Sequence, residues 1–211
     1  MTKNTLTPDI VLEKAIVLAQ QSSWESFGLT ELASLLDCSL NDIKQFYRSK
    51  DDMAEALFNR ADDAMLSLAS AEEYRNLTSD DKLVECIMVW FESLTPYRPL
   101  VREILAYKLE PGHFHLQAHG ITRISRTVQW FLEASDRKCT GLKRITEEVS
   151  VTSAYLASFS FFLFDNSEQH ANTRALLKSL IRKINQGQQL FFTSARANSV
   201  PIGRHNSPET K

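Results

Sequence analysis

The chain has 211 residues, of which 43% are hydrophobic, and its formal net charge is −2. This length and composition allow a sizeable buried core, and the small net charge excludes a polybasic chain that binds nucleic acid along its whole surface. Glycine and proline number six each, which favours long helices with few turns. The three cysteines are dispersed and form no CxxC pair, so the sequence predicts neither a disulfide framework nor a zinc site.

The first part of the chain has the pattern of a helix, a turn and a second, short helix. Leu32, Ala33 and Leu36 share one helical face, and Asp37 interrupts that pattern. Ser39 stands where an N-cap is expected, with a hydroxyl that can accept from the amides of the next turn. Ser49 offers a second N-cap at the start of a long helix.

The short helix that starts at Ser39 is the candidate for DNA contact. Ile43 and Tyr47 are four residues apart and are expected to face the core, while polar and basic residues point elsewhere. A short helix with that division can enter a major groove. The predicted DNA-contacting residues are Ser39, Leu40, Asn41, Lys44, Gln45, Arg48 and Lys50.

From Thr7 to Leu57 the chain resembles the TetR family of bacterial one-component regulators. The matching positions are Leu32-Ala33, Cys38-Ser39, Ile43, Tyr47 and Ser49-Lys50-Asp51. The resemblance implies an all-α fold with an N-terminal three-helix helix-turn-helix unit and a larger C-terminal helical domain for ligand binding and dimerisation. It also implies a ligand-responsive, homodimeric DNA-binding transcriptional repressor that binds double-stranded DNA at a pseudo-palindromic operator, in the bacterial cytoplasm at the nucleoid.

Four residues depart from the family pattern. Asp37 replaces the usual turn glycine, Gly28 stands where a serine or threonine usually caps the second helix, Lys44 replaces a tyrosine that contacts phosphate, and Asn41 replaces a frequent glycine. Residues 1–60 also carry six basic and nine acidic side chains, a net charge of −3, which is unfavourable for a general electrostatic footprint on DNA.

The rest of the sequence predicts further helices. A polar stretch with Ser79 as the expected N-cap precedes one helix, and another is expected from about Phe114 to Ala134. The predicted organisation is a DNA-binding domain at residues 1–52, a ligand-binding and dimerisation domain at 53–197 and a disordered tail at 198–211.

Aromatic residues recur along the larger predicted domain. The resemblance implies a ligand cavity there, for a small apolar or aromatic effector, and a plain aromatic core is the alternative for each single residue. The predicted lining residues are Trp90, Phe91, Tyr107, Trp130, Phe131, Tyr155, Phe159 and Phe162.

Small side chains on the penultimate long helix permit close approach of another helix. That helix is either the last helix of the same chain or one from a second subunit, and the resemblance implies a two-fold contact through the last two long helices. The predicted interface residues are Ala154, Ala157, Ser158, Leu177, Leu180, Ile181 and Ile184.

Two further expectations concern chemistry and the membrane. GxSxG, HExxH and Walker patterns are absent, so we expect no enzyme activity and no cofactor, and we expect His113, His115 and His119 to lie at an exposed helix start rather than to bind a metal. The most apolar run, Ala154 to Phe164, is too short to span a bilayer.

The alternative function belongs to another class. The stretch from Tyr155 to Ile184 is loosely similar to the COQ9 proteins of ubiquinone biosynthesis, which keep a TetR-like fold without regulating transcription. That similarity implies a lipid- or isoprenoid-binding accessory protein with no DNA affinity. The acidic N-terminal unit, Asp37 and Gly28 favour this hypothesis, whereas Lys44, Arg48 and Ser49-Lys50-Asp51 favour the first.

Overall fold

A computed structural model describes residues 5–110 and 114–197, and within them the fold is all-helical, with no strand. The helices are α1 Pro8–Gln21, α2 Leu29–Leu35, α3 Leu40–Phe46, α4 Lys50–Ala69, α5 Glu72–Arg75, α6 Ser79–Ser93, α7 Arg98–Leu109, α8 Phe114–Ala134, α9 Gly141–Phe162 and α10 Ala171–Ala197. Short 3-10 turns at Thr95–Tyr97 and Glu168–His170 precede α7 and α10. The all-α fold expected from the sequence is confirmed.

Helices α1 to α3 form the N-terminal unit. The hydroxyl of Thr7 caps α1, where it accepts from the amide of Ile10 at 3.3 Å. Ile43 from α3 is buried in the core, and Tyr47, which ends α3, donates from its hydroxyl to the carbonyl of Pro8 at 3.1 Å. The C-terminal end of α3 is therefore tied to the beginning of α1, which fixes how α3 is presented at the surface.

Helix α4 connects the N-terminal unit to the larger domain. It packs against α1 and, more extensively, against α6 and α8. The expected boundary between residues 52 and 53 falls within the first turn of α4, and it remains a prediction. Thr78 rather than Ser79 is the N-cap of α6, because the Thr78 hydroxyl accepts from the amide of Asp81, while the Ser79 hydroxyl donates to the carbonyl of Ser135.

The core of the larger domain is built around Trp90 of α6. Its ring stacks on Phe58 of α4 with centroids 6.0 Å apart, and Tyr155 and Phe159 of α9 meet it edge-on at 5.5 and 5.4 Å. The indole nitrogen of Trp90 donates to the buried carboxylate of Asp62 at 2.8 Å. Aromatic packing and this hydrogen bond together fix α4, α6 and α9 in one layered bundle.

Two sequence expectations concern the end of the chain and the membrane. The tail expected at 198–211 lies outside the described residues. No helix in the described part is long and apolar enough to cross a membrane.

Candidate DNA-binding surface and ligand cavity

The turn between α2 and α3 has the backbone that the family pattern requires. Asp37 has a φ of +50°, the left-handed region that the usual glycine would adopt without strain. Ser39 and Asp42 then form a reciprocal capping box: the Ser39 hydroxyl accepts from the amide of Asp42, and the Asp42 carboxylate accepts from the amide of Ser39 at 2.9 Å. Asp37 therefore keeps the turn, and α3 starts where the sequence predicts.

The outward face of α3 is polar and basic. Leu40, Asn41, Lys44 and Gln45 are exposed on it, and Arg48 is exposed just after it. Neither Lys44 nor Arg48 forms an ion pair with a described residue. These side chains are available for contacts outside the chain, as predicted, but their contact with DNA remains a prediction.

Several acidic residues of the first 60 are neutralised away from this face. Asp9 and Glu13 of α1 both pair with Arg60 of α4, with a distance of 3.0 Å for Asp9. Asp51 and Glu55 of α4 pair with Lys108 of α7 at 2.5 and 3.1 Å. Arg60 is already included in the net charge of −3, but Lys108 lies outside residues 1–60 and offsets part of the negative charge of α4.

Lys50 is a correction to the predicted DNA contacts. Its ammonium group donates to the carbonyls of Trp24, Glu25 and Phe27 at 3.0, 2.8 and 3.2 Å, and it lies 4.8 Å from the Phe27 ring centroid. Burial lowers the pKa of Lys50. The three donors of its ammonium group are thus used to hold the loop between α1 and α2. Ser39 likewise uses its hydroxyl within the capping box.

A largely apolar cavity of about 500 Å³ lies between α4, α7, α8 and α9. Of the predicted lining residues, Trp90, Tyr155 and Phe159 border it. Sequence reasoning missed the other lining residues, because they come from four helices whose faces meet only in the folded chain. The additional lining residues are Glu55, Phe58, Leu105, Lys108, Leu109, Gln117, Gly120, Ile121, Arg123, Ile124, Leu156 and Ser160.

Five predicted lining residues do not border this cavity. Phe91, Phe131 and Phe162 are fully buried, and Phe91 and Phe162 stack on each other with centroids 5.1 Å apart, so they form the aromatic core instead. Trp130 is 45% exposed on the outer face of α8, where its helical position turns it away from the core. Tyr107 is partly exposed and lies outside the lining.

Charged residues form one end of the apolar cavity. Arg123 of α8 is buried and donates to the carboxylate of Asp62 at 2.8 Å, to Glu55 at 3.4 Å and to Asn59. Lys108 joins the same cluster through Glu55. Both buried cations are therefore matched by carboxylates of α4, as buried charges require.

A second, polar cavity of about 870 Å³ opens between the start of α6, the segment after α8, the first turns of α9 and the second half of α10. Arg137 lies in its wall and pairs with Asp80 and Glu147. These ion pairs engage Arg137, Asp80 and Glu147 with one another within the chain.

The predicted dimer interface needs correction. Ala154 and Ser158 of α9 are buried within the subunit, and so are Leu177 and Ile181 of α10. Small side chains here let α9 and α10 of one chain approach each other, which is the alternative that the sequence left open. Ala157 is exposed, and Leu180 and Ile184 are partly exposed. Val149, Leu156 and Phe161 of α9 are also exposed, and so is Phe164 in the turn after α9.

The fold and the exposed face of α3 define a helix-turn-helix protein. Among solved structures the chain is similar to a TetR transcriptional regulator from Nitrosomonas europaea, with 34% identity over 85% of this chain and 98% of that one and a TM-score of 0.75. Its fold is also similar to those of a TetR-family regulator from Streptomyces coelicolor (14% identity, 89% and 97% coverage, TM-score 0.56) and of FadR from Bacillus subtilis (11%, 83% and 98%, 0.50). Comparisons with protein-family models and with curated proteins gave no match.

The chain belongs to the TetR family of DNA-binding transcriptional regulators. This confirms the resemblance that the helix-turn-helix residues carry.

Proposed function

We propose that the protein is a homodimeric repressor whose α3 enters the major groove of a pseudo-palindromic operator. The observation that carries the proposal is the outward face of α3, where exposed Asn41, Lys44 and Gln45 sit on a helix anchored by Ile43 and capped by Ser39. Gln can pair bidentately with adenine, and lysine neutralises phosphate. Leu40 adds an apolar group that suits a thymine methyl.

Two-fold symmetry sets the form of the operator. A dimer that presents one α3 from each subunit requires two half-sites about 34–36 Å apart, or a multiple of that spacing. The test is selection of bound sequences from random duplex DNA by the full chain. Enrichment of an inverted repeat supports the proposal, and recovery of sequences without any shared motif contradicts it.

The dimer surface that we propose is the outer face of α9 with the adjoining flank of α10. Val149, Ala157 and Phe161 lie on one side of α9, and they are exposed to solvent in the single chain, as is Phe164 in the turn after α9. An apolar stripe of that length is unfavourable in water and suits a partner helix. A second copy related by a two-fold axis would cover it with the same surface.

Ligand response follows from where the cavity lies. Glu55 borders the cavity and belongs to α4, whose first turn also holds Lys50, the anchor of the loop between α1 and α2. Glu103 of α7 accepts from the amide of Trp24 at 2.8 Å, a second link to the N-terminal unit. A ligand that favours one arrangement of α4 and α7 would shift the separation of the two α3 helices away from the operator spacing.

An effector can be recognised through thermodynamic reciprocity. Any molecule that weakens operator binding must itself bind less tightly when operator is present, by the same factor. Calorimetry with and without operator measures both factors. A molecule that displaces DNA at equilibrium, but whose own affinity for the protein is unchanged when operator is added, would contradict this mechanism.

The fold can hold a molecule with a long apolar chain, since the FadR structure is a complex with stearoyl-CoA. This supports an apolar cavity ligand but not the lipid-binding function without DNA. Two of the features that favoured that alternative weigh less in the structure, because Asp37 adopts the required turn and four acidic residues of the first 60 form ion pairs. Gly28 gives the second helix no side-chain cap. A tightly held prenyl lipid in the purified protein, together with no DNA affinity, would reverse the choice.

A further inference from the structure

The charges beside the apolar cavity leave little need for a charged ligand. Lys108 and Arg123 are the cations of its lining, and three carboxylates already face them, from Asp51, Glu55 and Asp62. An added anion would meet these carboxylates and would have to displace Glu55 from both cations. Taking a further charge out of water without a free partner is costly, so this arrangement favours an uncharged occupant.

Two polar groups of the lining have no partner among the described residues: the Nε of Arg123, which is fully enclosed, and the hydroxyl of Tyr155. Tyr155 is 3% exposed and borders the cavity, yet its hydroxyl forms no hydrogen bond with a described residue. The Tyr155 hydroxyl is not fully enclosed by protein atoms. In this it differs from the Ser158 hydroxyl, which is enclosed and has no partner. Open space therefore reaches the Tyr155 hydroxyl, and the space that it borders is the cavity.

The surroundings of Tyr155 keep this hydroxyl a donor. Burial raises the pKa of Tyr155 well above its ordinary value. The charge of Arg123 lowers this pKa and the charge of Asp62 raises it, both by less than burial does. The group is thus protonated at neutral pH. A buried hydroxyl without an acceptor is unfavourable, and a ligand that supplies one gains that interaction without any new charge.

We propose that the cavity binds a neutral, largely apolar molecule with one hydrogen-bond acceptor, such as a carbonyl oxygen, which accepts from the Tyr155 hydroxyl. The proposal rests on the proposed ligand site and adds the chemical class of its ligand. Phe58, Trp90 and Phe159 would contact the apolar body, and Tyr155 would select for the acceptor. A molecule without the acceptor would leave the hydroxyl unpaired and would therefore bind more weakly.

Three naphthalenes substituted at the same ring position test this directly: the methyl ketone, the isopropenyl hydrocarbon of the same shape, and the carboxylate. Calorimetry on the full chain would measure their affinities. We expect the ketone to bind about fivefold tighter than the hydrocarbon, as one buried hydrogen bond gives. We expect the carboxylate to bind more weakly than the ketone. Equal affinities for ketone and hydrocarbon, tightest binding of the carboxylate, or no binding by any of the three would overturn the proposal.

Tyr155→Phe removes only the hydroxyl and keeps the aromatic ring in the core. In this variant the ketone should fall to the affinity of the hydrocarbon, whose own affinity should not change. Leu105→Ala is the matched control, because it removes apolar lining and should weaken ketone and hydrocarbon by the same factor. A ketone preference that survives in Tyr155→Phe would assign the acceptor to another group and contradict the proposal.

The outcomes separate this inference from the proposed function. Binding of the ketone is measured without DNA, so the preference of the cavity for the ketone is tested independently of operator binding. If the ketone binds selectively but leaves DNA affinity unchanged, the ligand class holds and the regulatory role of the cavity fails. If another class of molecule releases DNA from the protein and binds this cavity, the regulatory role holds and the ligand class fails.

Discussion

Lys44 and Lys50 are both basic residues of the helix-turn-helix segment, but their surroundings assign them different roles. Lys44 is exposed on α3, whereas Lys50 donates to three carbonyls of the preceding loop. The sequence could not show this difference, because the acceptors of Lys50 lie 23 to 26 residues earlier in the chain. They are backbone carbonyls, which every residue has, so no sequence pattern indicates them. The local pattern fixed where α3 begins, but not which cations remain free.

Replacing each lysine should separate the two roles. Lys44→Ala should lower the dependence of log K on log salt by about one unit and change the free energy of unfolding by no more than about 0.5 kcal/mol. Lys50→Met should leave the salt slope unchanged and lower the free energy of unfolding by about 1–2 kcal/mol, since three carbonyls lose a charged donor. Fluorescence anisotropy and urea unfolding measure the two quantities. A reduced salt slope in Lys50→Met would show that Lys50 contacts phosphate after all.

At the scale of single elements, the start of α10 depends on Asp165, a residue in the turn after α9. Its carboxylate accepts from the amide and hydroxyl of Thr173 at 2.9 and 2.6 Å, and from the amide and hydroxyl of Ser167 at 2.9 and 2.7 Å. Burial raises the pKa of Asp165, but these hydrogen bonds outweigh burial and hold it well below its ordinary value. The ionised carboxylate therefore stabilises the first turn of α10.

Asp165→Asn should lower the free energy of unfolding by about 1–2 kcal/mol at neutral pH, as loss of a helix cap does. Because the folded pKa is depressed, the stabilisation is present above the unfolded pKa of about 4 and is lost as the pH falls below it. Urea unfolding from pH 7 to pH 3 should therefore show the difference between wild type and variant shrinking at the acidic end. Glu168→Gln, an exposed neighbour, is the control and should have little effect at any pH. A difference that stays constant with pH would rule out the carboxylate as its source.

Helices α8 and α9 show what periodicity alone can and cannot predict. The expected bounds of α8, Phe114 to Ala134, are those of the structure. Periodicity does not reveal which face of α9 is internal, because Ala154 and Ala157 are equally small and apolar, and only the packing of the folded chain buries the first and leaves the second exposed. The prediction that Trp130 lines the cavity is wrong for the same reason, because an aromatic side chain in an apolar helix does not itself indicate which face is buried.

At the scale of the whole molecule, the exposed face of α9 makes the oligomeric state testable. Ala157→Glu places a charge in the middle of the proposed two-fold contact, where it would face its own copy, so the dimer should dissociate to monomers at micromolar concentration. Ala106→Glu makes the same change at an exposed position of α7 and should leave the dimer intact. Sedimentation velocity distinguishes the species. A wild-type protein that sediments as a monomer would contradict the proposed interface outright.

We propose that the outward face of α3 reads DNA sequence. The most direct measurement is the affinity of wild type and Gln45→Ala for the selected operator and for duplexes with single base-pair changes, at fixed salt. We predict that Gln45→Ala loses about 1–3 kcal/mol of discrimination at one or two adjacent base positions and keeps its affinity for unrelated DNA. Discrimination unchanged at every position, or equal weakening on all duplexes, would show that this face does not read the sequence.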